Sequence, residues 1–200
     1  FPLPKVVDGL FEVVGQLFDL SFEQADNVEL WHDDASCYHV LRKGERIASF
    51  YFDLYAREHK RGGAWMSGAI GRRELPSGDL EKPVAFLVCN FTPPTDGKPS
   101  LLNHNEVTTL FHEFGHGLHH MLTQVNTAEV AGINGVAWDA VELPSQFLEN
   151  WCWAPEVIPL ISGHYQTGEA LPEDMLNKIL AAKNFQSAMQ MLRQVEFSLF

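Results

Sequence analysis

Apolar residues along this chain repeat with two different periods, and the change of period marks out most of its elements. After Pro4, the residues Val6, Leu10, Val13, Val14, Leu17 and Phe18 fall at helical intervals, predicting a helix over 6–20. The stretch 26–35 is polar and irregular. Cys37 to Leu41 and Arg46 to Tyr55 then flank Arg42-Lys43-Gly44-Glu45, which predicts a hairpin with Gly44 in its turn. The aromatic run from Ile47 to Leu54 suits a pleated, half-buried surface. Residues 60–63 and 72–83 read as loops. Val84 to Phe91, bounded by Pro83 and Pro93, reads as a buried strand, and 92–99 as a Pro-rich loop.

The helical period returns after Leu102. Asn103 with Glu106 three residues on forms a capping-box pattern, and Val107, Leu110, Phe111, Phe114, Leu118, Met121 and Leu122 supply one apolar face. The stretch 127–135, with two Gly and several turn formers, predicts a loop leaving that helix. In 139–151 a second helix is expected, and Pro144 allows two versions of it. Either it begins near Val141 with the proline in its first turn, or it kinks there. Loops follow Trp153, then a helix from Pro172, with 181–200 again amphipathic. Large aromatics dominate core burial, so Trp138, Trp151 and Trp153 are expected to fill the core.

Strands followed by helices predict an α+β fold, mostly helical, with a small β-sheet beside the second long helix. Length allows one core, so residues 1–200 are expected to form a single unit. Its first half, 1–100, would hold a helix, small sheet and loops; its second half, 101–200, the remaining helices. No Met opens the chain and no terminator closes its last amphipathic stretch. The reading is an excised core whose partners include flanking segments of the same polypeptide.

Chemistry concentrates inside the capped helix. His112, Glu113, Phe114, Gly115 and His116 form the His-Glu-x-x-His pattern of zinc metallopeptidases. At ~100° per residue the two imidazoles stand within ~40° of one another and ~6 Å apart along the axis, so both can reach one metal. Glu113 projects from the same side, ~60° from His116, as a base rather than a ligand. Gly115 costs about 1 kcal/mol of helix propensity, which implies that something packs close to the backbone there. His119 and His120 are read as neighbours of the site. His119 also stands where a metzincin would need Gly, and Leu122 where it would need its third His, which excludes that subclass.

A catalytic zinc needs a third protein ligand. Several downstream carboxylates qualify by type, and the run 139–149 is the best placed. If helical, it sets Asp139, Gln146 and Glu149 within ~60° of Glu142 on one face. One carboxylate can then bind metal while others orient the histidines. Spacing alone leaves open which does which.

The block Leu110 to His120, followed by Trp138-Asp139-Ala140-Val141-Glu142-Leu143-Pro144-Ser145-Gln146, resembles the thimet oligopeptidase family of zinc metallopeptidases, and its bacterial branch most closely. Further blocks agree in order: Tyr51 to Tyr55, Lys60 to Trp65, Val88 to Thr92, and Ile161 to Tyr165. The resemblance implies a zincin-like catalytic core, one zinc ion per chain held by His112, His116 and Glu142, Glu113 as general base, and short peptides as substrates. It also implies that donors for the oxyanion lie in a segment following this one. Two rival readings keep the metal: an amidohydrolase acting on another acyl substrate, and a structural metal domain. The latter normally has four ligands and is often Cys-rich.

Composition narrows the rest. A net charge of −12 argues against nucleic acid, which needs clustered Lys and Arg. No apolar run approaches the ~20 residues that span a bilayer. Three cysteines, far apart and without a CxxC, fit reduced thiols in a cytoplasmic protein.

Overall fold

The computed structural model describes residues 1–200. Helix α1 (Leu3–Phe18) leads into strands β1 (Ser21–Gln24), β2 (Ser36–Arg42), β3 (Glu45–Tyr55), β4 (Trp65–Ile70), β5 (Arg73–Glu74), β6 (Leu80–Glu81) and β7 (Val84–Phe91). Helices α2 (His104–Met121), α3 (Leu143–Glu149), α4 (Ile158–Ile161), α5 (Glu173–Lys183) and α6 (Ser187–Leu199) follow. The chain is thus α+β, as expected, with a single main sheet of order β1-β2-β3-β7-β4. Only β3 and β7 run parallel.

Alternation along β3 explains the layering. Ala48, Phe50, Phe52 and Leu54 point to one face and are buried there beneath α1 and α2. Phe114 of α2 meets Phe50 edge-on at 5.4 Å, and Phe11 of α1 stacks on Phe22 at 4.4 Å. Lys43 and Gly44 both take positive φ (52° and 80°), the two-residue turn whose twist suits a hairpin between β2 and β3. The opposite face of the sheet carries a polar knot. Asp53 accepts two bonds from Arg57, at 2.6 and 2.8 Å, one from Lys60 at 2.8 Å and one from Trp31 at 3.1 Å. Lys60 Nζ also donates to the carbonyls of Asp53, Tyr55 and Cys89. These carbonyls lie where the β3–β7 register shifts, so the ammonium replaces missing ladder donors.

Several elements depart from the sequence pattern. β4 fills a stretch with no alternation and a glycine at its centre; it exists because β7 offers it an antiparallel ladder. β1 is likewise short and mostly exposed, and β5 and β6 form a small hairpin inside the expected loop. The amphipathic stretch 181–200 is broken at 184–186, where Gln186 adopts φ 53°, so it forms the end of α5 and a separate α6.

α2 opens with both bonds of its capping box: Glu106 N–H to Asn103 Oδ1 at 3.0 Å, and Asn103 N–H to Glu106 Oε2 at 2.8 Å. α3 settles the question of Pro144. The helix starts at Leu143 with the proline in its first turn, leaving Glu142 at the N-cap position and Asp139 outside. α3 lies directly on α2 at Gly115, where an added Cβ would stand 2.5 Å from Pro144 O and 2.6 Å from Ser145 Cα.

Two stability predictions follow from these contacts. Burial alone would raise the Asp53 carboxyl, yet hydrogen bonds from Arg57, Lys60 and Trp31 outweigh it and hold the group well below its usual range. A depressed native value means stability that is complete above an unfolded aspartate's pKa of about 4 and lost as pH falls towards the native one. Asp53→Asn, which strands the buried Lys60 charge, should destabilise by about 3–5 kcal/mol in denaturant titrations at neutral pH, with a shallower acid dependence. Gly115→Ala would add about 1 kcal/mol to an exposed helix. Here overpacking against Pro144 should reverse the sign, giving a net loss of about 1–3 kcal/mol in the same titration.

Candidate active site

α2 presents His112, Glu113 and His116 from successive turns, and the N-terminal end of α3 brings Glu142 against them. The two imidazole rings stand edge to face, centroids 4.9 Å apart. Glu142 Oε2 lies 3.2 Å from His112 Nε2 and 3.1 Å from His116 Nε2. One carboxylate oxygen thus faces two ring nitrogens at nearly equal distance. Among the nine histidines and 26 acidic residues, these three side chains form a cluster whose donor atoms lie within 4.8 Å of one another.

His112 and Glu142 are each held from behind. Glu149, seven residues beyond Glu142 and so on the same face of α3, meets His112 Nδ1 with Oε1 at 2.6 Å. A carboxylate there fixes the proton on Nδ1 and leaves the Nε2 lone pair pointing at Glu142. Ser145, fully buried, donates its hydroxyl to Glu142 Oε2 at 2.8 Å and reaches Glu142 O at 2.9 Å. That bond, ahead of the opposing effect of burial, draws the Glu142 carboxyl below its ordinary value, and the nearby imidazoles add to it. Burial lowers the proton affinity of His116, with Glu142 opposing. Burial raises that of Glu113, with His112 opposing the rise and Glu142 adding to it.

The donor chemistry fits a divalent cation. The His112 Nε2 lone pair facing Glu142 Oε2 at 3.2 Å is repulsive unless a positive charge lies between them. Two His nitrogens and one carboxylate oxygen are the set that holds catalytic zinc with a position left open. The open side is a cleft of about 480 Å³, with Trp65 and Met66 of β4 on one wall and Ile133, Val136 and Trp138 on the other. Glu113, only 7% exposed, sits at its floor.

Of the groups expected behind the histidines, the structure brings Glu149 into contact. Asp139 and Gln146 lie exposed, with side chains in no hydrogen bond or ion pair with the cluster: Asp139 precedes the helix, and Gln146 faces solvent from it. Ser145 was missed, although its place three residues beyond Glu142 put it on the same helical side. His120 turns away from the cluster to Ile70 O, at 2.9 Å. Trp138 departs from its expected core position; it is 94% exposed, at the rim of the cleft, whereas Trp151 and Trp153 pack against the core.

The whole chain, residues 1–200, matches Peptidase family M3. It is similar to Oligopeptidase A of Escherichia coli, 57% identical over 201 residues that cover 100% of this chain and 30% of the relative. Oligopeptidase A of Salmonella typhimurium is equally similar, with the same coverage. Saccharolysin of Saccharomyces cerevisiae is 38% identical over 208 residues, again 100% of this chain and 29% of the relative. The chain therefore spans about 30% of the length of these curated relatives. The blocks that carried the sequence resemblance and the full-length match agree: this chain belongs to peptidase family M3, the family of oligopeptidase A and the thimet oligopeptidases.

Proposed function

We propose that the chain is the catalytic core of a zinc metallo-endopeptidase that hydrolyses peptide bonds in short oligopeptides. The observation that carries this reading is the approach of His112 Nε2 and His116 Nε2 to one Glu142 oxygen, with Glu113 buried beside them. In it, His112, His116 and Glu142 hold one zinc ion, which when bound acidifies water and polarises a carbonyl.

The remaining work falls to the protein. Glu149 keeps the His112 ring in the tautomer that offers Nε2, and Ser145 keeps one Glu142 oxygen turned inward. Glu113 takes the proton of the attacking water and passes it to the leaving amide nitrogen. Its burial supports that role, since a raised proton affinity suits a carboxylate that must both accept and release a proton near neutrality. The names of the relatives support oligopeptides as substrates, and the open cleft gives an extended chain access to the site. The same cleft weighs against a structural metal site, which is normally closed by a fourth protein ligand. All three cysteines are free and buried, which supports a reducing, cytoplasmic setting. No helix is long and apolar enough to cross a membrane.

Glu113→Gln should retain stoichiometric zinc and lose about 10²–10⁴-fold in kcat on an internally quenched peptide. Near-normal turnover would remove Glu113 from the role of base. His112→Ala and His116→Ala should instead lose the metal, read by elemental analysis. Glu149→Ala should weaken zinc by about 10–100-fold in chelator competition while the three ligands stay in place.

A further inference from the structure

β4 is an edge strand, paired to β7 on one side only, and its ladder is interrupted between Gly68 and Ile70. An edge strand with a broken ladder is held weakly by its own sheet. A side chain of α2 supplies a bond that the ladder lacks. His120 Nε2 donates to Ile70 O at 2.9 Å, and Glu113 lines the cleft beside Met66 of the same strand. Seven residues separate His120 from Glu113, so they share one face of α2, ~20° apart. The helix therefore grips the strand backbone at Ile70 and faces it four residues earlier at Met66.

The seat of His120 is built to fit. Its ring is 1% exposed and lies against Gly68, where a Cβ would come within 2.8 Å of Cε1 and 3.1 Å of Nε2. On the other side lies Gly132, where a Cβ would come within 2.8 Å of Nδ1. Two residues without side chains thus admit an imidazole between β4 and the 127–135 connection, and Ile70 O is the acceptor it meets there. Its side chain is not among those that converge on Glu142.

We propose that His120 is a positioning residue for hydrolysis, fixing the edge strand against α2 so that the Trp65–Met66 wall of the cleft stays in place beside Glu113. The inference rests on the reading of Glu113 as the base. Its signature is a loss in turnover without loss of metal or of substrate binding, because the strand shifts relative to the base while the ligands stay put.

The test uses the complete zinc-loaded enzyme with an internally quenched peptide. His120→Leu should lower kcat about tenfold with KM within about twofold of wild type and zinc stoichiometry unchanged. Amide hydrogen exchange over 65–70 should accelerate in the same variant. His120→Gln, which keeps a side-chain N–H donor, should restore most of the turnover. Gly68→Ala, which pushes the ring away from the opposite side, should reproduce the His120→Leu defect. Full kcat in His120→Leu overturns the proposal, and so does a Gln variant no better than Leu. Activity lost in step with zinc in both His120→Leu and Gly68→Ala also overturns it, leaving His120 a folding role alone. Glu113→Gln measured alongside separates the two readings. If that variant stays active the base assignment fails; if it is inactive while His120→Leu is normal, only the positioning role fails.

Discussion

An imidazole lone pair and a carboxylate oxygen repel when they face one another, and His112 Nε2, its other ring nitrogen engaged by Glu149, meets Glu142 in this way at 3.2 Å, while His116 Nε2 stands 3.1 Å from the same oxygen. Such a cluster persists only when surrounding bonds over-determine it and a positive charge can relieve it. Glu149 behind His112 and Ser145 behind Glu142 provide the first condition. A divalent cation is the group whose chemistry answers the second. The sheet, the loop to α3 and the cap of α2 can all be understood as means of delivering three side chains to that meeting point.

Much of this was legible in the residues themselves. The capping box places the start of α2 at Asn103, and two histidines four apart stand ~6 Å apart along a helix but ~13 Å apart along a strand, so their convergence follows from local rules. Gly44 marks its hairpin, and Pro144 limits α3 to two alternatives, of which the fold takes the one with proline in the first turn. The facing of Glu142 and Glu149, seven residues apart, is again helical arithmetic.

What could not be read depends on partners distant in sequence. β4 has a poor strand pattern because half its surface is open and its conformation is imposed by β7. Asp139 shares a helical face with Glu142 only if the helix reaches it, and the helix begins after it. Trp138 carries the bulk of a core residue, yet a turn before α3 turns it outward to the cleft rim. Lys60 gave no local sign that it would be buried. Its role arises from the register shift between β3 and β7, which exposes three carbonyls to a single ammonium.

The approach of Pro144 and Ser145 to Gly115 is one main chain resting on another. Main chains have no rotamers through which to relax, so the gap between these two helices is set by the thickness of peptide groups. Neighbouring apolar side chains can therefore drift in size, altering how firmly the pair is clamped, without altering how far apart it stands. The reach of the carboxylate to the two rings is inherited from covalent geometry, which changes far more slowly than packing does.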